Sequence, residues 1–342
     1  TQGDITKEVA AQILNRPMYL HEASVKNIHC YFEQRHLQMP DNNLRQAMIA
    51  EGSIVVDNER GTAPGIILES GKKTIIHLPG PPHELEWMFE HSIAPYLKKR
   101  FGMQGAIISR VLHTYGIGES ALEGKIKDFI LTQSNPTIAL LARQGEIIVR
   151  LTAKGATEVE AKKLIAELEL AIQQRIGEYI FGADDDSMEV VIGRILADKQ
   201  LTVALAESCT GGLVTSRITD IPGSSAYLTG SIVCYHNEIK VEDTGVPPQI
   251  IAEYGAVSEQ TANCMAAGVR KKFNTDIGIG ITGIAGPDGA TPNKPVGLVF
   301  VAIDGSAGPQ CQQYHFLGQR TDIKYRTSQS ALNLLRQYAL LL

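Results

Sequence analysis

The sequence predicts an α/β protein of several compact units that ends in a three-layer α/β domain. Three observations carry this. The chain has 342 residues, more than the roughly 250 at which single cores stop growing. Short apolar runs alternate with amphipathic stretches, the pattern of layered sheets. In the last third, glycine-bearing turns stand directly after apolar strands.

The first unit, 1–103, opens on a helical pattern of Ile5, Val9 and Ile13, with Asp4 or Thr6 as its cap. No strand precedes that helix, so the unit reads as a sheet domain whose opening strand is missing. His21 to His36 reads as a helix, and Ser53 to Asp57, Gly65 to Leu68 and Thr74 to Leu78 as strands, the last two joined through Gly71. Pro82 to Lys99 reads as a helix. These alternating elements predict a layered α/β sheet.

The second unit, 104–183, reads as a small α+β module. Its elements are a strand from Ala106 to His113, a helix from Glu119 to Leu131, a hairpin of Thr137 to Ala142 and Glu146 to Ala153 about Gln144-Gly145, and a helix from Thr157 to Ile176. Val159, Leu164 and Leu168 recur there at helical spacing. Lys125, Lys127, Arg143 and Arg150 are scattered and read as a solvated surface. The acidic run Asp184 to Ser187 reads as a linker and helix N-terminus, where carboxylates oppose the helix dipole.

The third unit, 184–342, is the most regular. Met188, Val191, Ile192, Ile195 and Leu196 form one helix face, followed by the strand Leu201 to Ala206, the turn Glu207 to Gly212 and a helix to Thr219. A strand from Gly230 to Tyr235 comes next. Ser258 caps a helix bearing Ala262, Met265, Ala266, Val269 and Phe273. The strand Ile277 to Ile281 leads into Thr282 to Pro287. Strands Val296 to Ile303 and Gln312 to Phe316 precede a final helix with Ile323, Ala331, Leu334, Leu335 and Tyr338.

Composition limits the function classes. Apolar residues make up 44% and charged residues 20%, as in ordinary folded proteins. The formal charge of −5 gives no field to attract a polyanion, so no direct nucleic-acid partner is expected. No apolar run approaches the ~18 residues of a membrane span, and the N-terminal residues carry no signal-peptide core. A cytoplasmic protein without membrane contact is therefore expected. The five cysteines, Cys30, Cys209, Cys234, Cys264 and Cys311, form no C-x-x-C pair and read as reduced thiols. A reactive thiol at Cys209 or Cys234 is the sharper alternative.

In an open α/β sheet the ligand crevice lies beyond the carboxyl ends of the strands, so the turns at 207–212 and 282–287 should meet there. Gly211 and Gly212 let backbone approach a ligand, and the helix that follows offers free N–H groups. Gly283 and Gly286 lead into Pro287, with Thr282 as a further donor. Close strand–helix packing explains the same glycines. Ser208 stands where a nucleophile is exposed near helix N–H groups that could hold an oxyanion. Lys240 can serve as its base if burial lowers its pKa, with Tyr235 relaying the proton. From spacing alone the bland readings stay open: Ser208 as an N-cap, Tyr235 as an amphipathic core residue and Lys240 as a surface charge.

These residues lie in AESCTGG (206–212), GSIVCYHNEIK (230–240) and GITGIAGP (280–287). In these motifs and their order, with Gly318-Gln-Arg320 further on, the sequence resembles the CinA family, the competence/damage-inducible protein A proteins. The resemblance implies an amidase over 184–342 that converts nicotinamide mononucleotide to nicotinate mononucleotide and ammonia, with no metal or other cofactor. It implies Ser208 as nucleophile and Tyr235 with Lys240 as the proton-transfer pair. Around the pyridine nucleotide it places Glu207, Thr210, Gly211, Gly212, Thr282, Gly283, Ala285, Gly286 and Arg320. Arg320 would contact phosphate, with Arg326 as the alternative. A homodimer is also implied.

The first unit resembles a molybdopterin-binding-like domain in Gly61-Thr-Ala-Pro-Gly65 and Leu78-Pro-Gly-Pro-Pro-His-Glu84. That resemblance implies ADP-ribose hydrolysis with a divalent metal. The family's opening strand and first glycine-rich motif are not matched. Gly3 also stands where a carboxylate belongs in Thr-x-Asp-Asp-x-Thr. A third reading is a non-catalytic nucleotide-binding protein linked to competence.

Overall fold

The computed structural model describes residues 5–102, 105–143 and 145–342, apart from the Asp41 side chain. The expected cap at Asp4, the substitution at Gly3 and the hairpin residue Gln144 lie outside the described residues. The chain divides into two compact units, Thr1–Gln104 and Gly105–Leu342. Among the described residues, no helix is long and apolar enough to cross a membrane.

In the first unit α1 (Thr6–Ile13), β1 (Met18–Leu20), α2 (Glu22–Gln34) and β2 (Met48–Ala50) precede β3 (Ile54–Val56), β4 (Gly65–Ser70) and β5 (Lys73–His77). The helices α3 (Pro82–Met88) and α4 (Ala94–Phe101) follow. Its strands form two small antiparallel sheets, β1-β2 and β3-β4-β5, rather than one layered sheet. The expected apolar face of α1 is not the buried one. Ile5, Val9 and Ile13 are exposed, while Ala10 and Ala11 pack with Ile49, Ile66 and Leu68. Small residues face the strands, and Ile5 sits at the N-cap without a side-chain cap.

The second unit opens with β6 (Ala106–Thr114), α5 (Glu119–Thr132), β7 (Thr137–Arg143), β8 (Glu146–Gly155), α6 (Glu158–Ile176) and β9 (Ile180–Ala183). The four strands pair antiparallel in the order β7-β8-β6-β9. Val159 is exposed; the face of α6 that packs on this sheet runs through Ala161, Ile165, Ile172 and Ile176. The acidic run is not a free linker. Asp184 accepts from Val111 N at 3.0 Å and pairs with Arg110, and Asp186 accepts from Ala183 N at 3.1 Å. Ser187 is the N-cap of the next helix, accepting from Val190 N at 3.3 Å.

The same unit continues through α7 (Met188–Asp198), β10 (Val203–Glu207), α8 (Leu213–Thr219), β11 (Leu228–Val233), α9 (Asn237–Thr244), α10 (Pro248–Tyr254) and α11 (Glu259–Phe273). The strands β12 (Ile277–Gly283), β13 (Leu298–Asp304) and β14 (Gln310–His315) and the helix α12 (Arg320–Leu341) complete it. The sheet order is β11-β10-β12-β13-β14, with β10 parallel to both neighbours and β13 antiparallel to its own. Successive strand residues face opposite sides. Val203, Leu205, Ile279 and Ile281 join α7 and α12 in one core, whereas Ala204 and Ala206 face Met265 and Val269 of α11. Helices on both faces make the three-layer domain that the sequence predicts.

The two faces differ in residue size. On the α11 side the sheet carries Ala204, Ala206, Gly278, Gly280 and Ala302, so the helix lies close. A Cβ at Gly280 would stand 2.2 Å from the Ala262 carbonyl oxygen. Gly280→Ala is therefore expected to lower unfolding free energy by about 1–3 kcal/mol or more, since helix and strand must separate. Urea unfolding of the two proteins measures it, and equal midpoints would refute the close contact.

Candidate active site

The first turn of the site is held by one buried carboxylate. Glu207 ends β10 with no exposed surface. Its Oε2 accepts from the Gly212 and Val214 N–H groups at 3.0 and 3.2 Å. Its Oε1 accepts from Thr215 N at 2.8 Å and Thr215 Oγ1 at 2.6 Å. Gly211 and Gly212 take φ of 62° and 90°, which lets the chain fold over that carboxylate. Sequence reasoning expects Glu207 to touch substrate and the N–H groups of α8 to hold an oxyanion. In the structure these groups hold each other.

The next residue is the candidate nucleophile. Ser208 is 8% exposed, and its N–H donates to Ile281 O at 3.0 Å, tying the turn to β12. The Cys209 and Thr210 N–H groups, immediately after it, have no acceptor among the described residues. The Thr210 hydroxyl is buried without a partner. Free backbone donors beside a serine are what an oxyanion needs.

Lys240 lies in the second turn of α9, an element that sequence reasoning did not resolve. Side chains on a helix lean toward its N-terminus, so the long amine reaches back over the turn that precedes α9. Its Nζ is 2.7 Å from Cys234 O, 3.3 Å from Tyr235 O and 3.0 Å from Ser208 Oγ. The residue is only 2% exposed, and burial pushes its pKa below the ordinary value. The two carbonyls can only accept. A neutral amine gives them its two N–H bonds and has one lone pair left, which then faces the serine hydroxyl.

The helix that carries Lys240 is fixed by a close contact. A Cβ at Gly268 of α11 would stand 1.7 Å from the Thr244 carbonyl oxygen at the end of α9. Burial holds the thiols beside Ser208 and Lys240 in the protonated form. Burial raises Cys209 to about 12 and Cys234 to about 11.

Tyr235 does not stand between serine and lysine. It is 60% exposed and its hydroxyl accepts from Arg320 Nη2 at 2.6 Å. Arg320, the first residue of α12, also donates from Nη1 to Gly286 O at 2.7 Å. Arg320 thus links the ends of β11 and β12. Arg326 lies elsewhere, lining a cavity with Tyr115 and Gly145. Thr282 is buried and its hydroxyl donates to Ala256 O at 2.7 Å, so that proton is not offered to a ligand. Ala285 packs in the core, and Gly283 abuts the Cys209 thiol, where a Cβ would meet Sγ at 3.1 Å. The two turns therefore meet, partly as packing.

Sequence reasoning missed Lys324. One helical turn after Arg320, its Nζ lies 3.7 Å from where a Gly211 Cβ would stand, with no carboxylate partner among the described residues. The i, i+4 spacing of two cations at a helix start was the available signal.

In the first unit a cavity of about 420 Å³ is lined by both expected motifs, including Thr62, Pro64, Leu78 and Glu84. Its carboxylates are engaged: Glu8 by Arg45 at 2.8 Å and Glu84 by Asn58 at 2.6 Å. Among the described residues no three His, Cys, Asp or Glu side chains cluster as metal ligands.

Residues 185–339 match the CinA C-terminal domain, 109–182 the damage-inducible protein CinA KH domain, and 1–99 the probable molybdopterin binding domain. A CinA-like protein of Dictyoglomus thermophilum is 48% identical over 337 residues, 98% of this chain and 82% of the relative. The chain belongs to the CinA family. A CinA-like protein of Dictyoglomus turgidum is 46% identical over 98% of this chain and 82% of its own length. The crystal structure of competence/damage inducible protein CihA from Agrobacterium tumefaciens is 35% identical, covering 44% of this chain and 94% of that chain with a TM-score of 0.42.

Replacing Glu207 with alanine leaves three backbone N–H groups without their acceptor. The expected loss is at least about 3 kcal/mol of stability. Thermal and urea unfolding read it, and an unchanged midpoint would remove Glu207 as the clamp of the turn.

Proposed function

We propose that the 184–342 domain hydrolyses the carboxamide of nicotinamide mononucleotide, giving nicotinate mononucleotide and ammonia. The observation that carries this reading is the 3.0 Å contact of Ser208 Oγ with a buried lysine amine whose other partners are carbonyls. A serine hydroxyl is a weak nucleophile until a base takes its proton, and a desolvated lysine supplies one near neutral pH.

Lys240 Nζ takes the hydroxyl proton as Ser208 Oγ bonds to the carboxamide carbon. The Cys209 and Thr210 N–H groups hold the oxyanion. The Lys240 ammonium then returns its proton to the departing nitrogen, ammonia leaves, and an acyl ester remains on Ser208. Water adds to that ester with Lys240 again taking a proton; the ester bond breaks and Ser208 regains its hydroxyl. Arg320 and Lys324 bind the phosphate of the nucleotide, a guanidinium being suited to two phosphate oxygens at once. Tyr235 is a positioning residue that orients Arg320.

Ammonia release from nicotinamide mononucleotide tests the reading. Ser208→Ala and Lys240→Met should each lower kcat by about a thousandfold or more. Wild-type rates in either variant would end the proposal. In the wild type, kcat/KM should rise with pH through the depressed Lys240 pKa, because the amine accepts a proton only when neutral. Lys240→Arg, cationic throughout, should lose that limb.

The cations are probed separately. Tyr235→Phe and Lys324→Gln should raise KM by about tenfold with kcat nearly kept, as expected when ground-state binding alone is weakened. A fall in kcat of about a hundredfold for Tyr235→Phe would instead make the phenol a proton carrier.

A further inference from the structure

A second cavity, of about 400 Å³, lies within the 105–342 unit where the sheet of β6 to β9 meets α12. Its wall takes Gly116 and Gly118 from the loop before α5, Arg143 and Glu146 from the β7–β8 hairpin, and Arg326 and Gln329 from α12. On sequence alone Arg143 reads as a solvated surface charge, and Arg326 as a substitute for Arg320. The fold brings these two guanidinium groups to one cavity.

The wall is rich in donors and poor in acceptors. Neither arginine side chain has a hydrogen-bonded or carboxylate partner among the described residues. Gln329 is 3% exposed; its Oε1 accepts from Arg217 at 2.6 Å, and its amide N–H groups have no acceptor among the described residues. That amide group reaches the open space of the cavity, where it can donate to a ligand. The carboxylate of Glu146 lies 3.4 Å from His113 Nδ1 and raises the pKa of that imidazole, favouring the cation that offsets its charge. Phe316 adds a flat apolar wall.

We infer that this cavity is an anion site separate from the Ser208 site, and that it takes a small phosphomonoester of mononucleotide size. Two guanidiniums suit phosphate oxygens, the volume lies in the range of ligand pockets, and the apolar wall suits a planar ring. Such a ligand bridges α5, the hairpin and α12, and so fastens the β6–β9 module to the C-terminal domain.

Calorimetric titration of the full chain with inorganic phosphate and with adenosine monophosphate tests this. The background is Arg320→Gln/Lys324→Gln, which removes the cations at the Ser208 site. Adenosine monophosphate should bind more tightly than phosphate. Adding Arg143→Gln and Arg326→Gln should weaken its binding at least tenfold, and Glu146→Gln should tighten it. Affinity unchanged by the two arginine substitutions, or no binding of either probe at millimolar concentration, overturns the site. Equal affinity for both probes overturns the assignment of an organic ester. Ammonia release is not read, so this outcome is independent of the amidase reading.

Discussion

The interaction on which the rest depends is the seat of the Glu207 carboxylate. A buried charge is costly unless its oxygens are filled with donors. Here three backbone N–H groups and one hydroxyl fill them, all from the chain that follows. The turn wraps that carboxylate, and in this shape Ser208 stands beside Lys240. It also decides which N–H groups remain free. Those at the start of α8 are consumed, so the donors open to chemistry are the two directly after Ser208.

The second organising feature is the difference between the sheet's faces. Large aliphatic side chains fill the space toward α7 and α12, while alanine and glycine let α11 approach closely. The close helix carries α9, and α9 carries the amine. Arg320, from the opposite layer, reaches across the strand ends to Tyr235 and Gly286. The site is thus assembled from both layers, each held at its own distance from the sheet.

Much of the C-terminal fold was legible because its strands are continuous apolar runs and its caps are explicit, as at Ser258. The elements missed share a cause. β1, β2 and β9 span three or four residues, too few for a period to register. The helix α9 is short and polar, so its periodicity is weak. At the site, Ser208 and Lys240 could be paired from their motifs, but not the direct contact between them, because that depends on α9. Glu207 and Thr282 look like ligand contacts in sequence because they sit in the right turns. Their burial, and hence their internal partners, emerge only from packing. Lys324 was hidden among the charges of a long helix.

The absent side chain at Gly268 reaches further than its place in the packing suggests. By letting α9 rest on α11, it seats the helix whose Lys240 side chain is buried. Under the proposed reaction the proton affinity of the base depends on that burial, so the spacing of these two helices bears on it. A looser seam that hydrated the amine would favour its charged form, and the serine would lose its proposed acceptor though every residue of the site were still present.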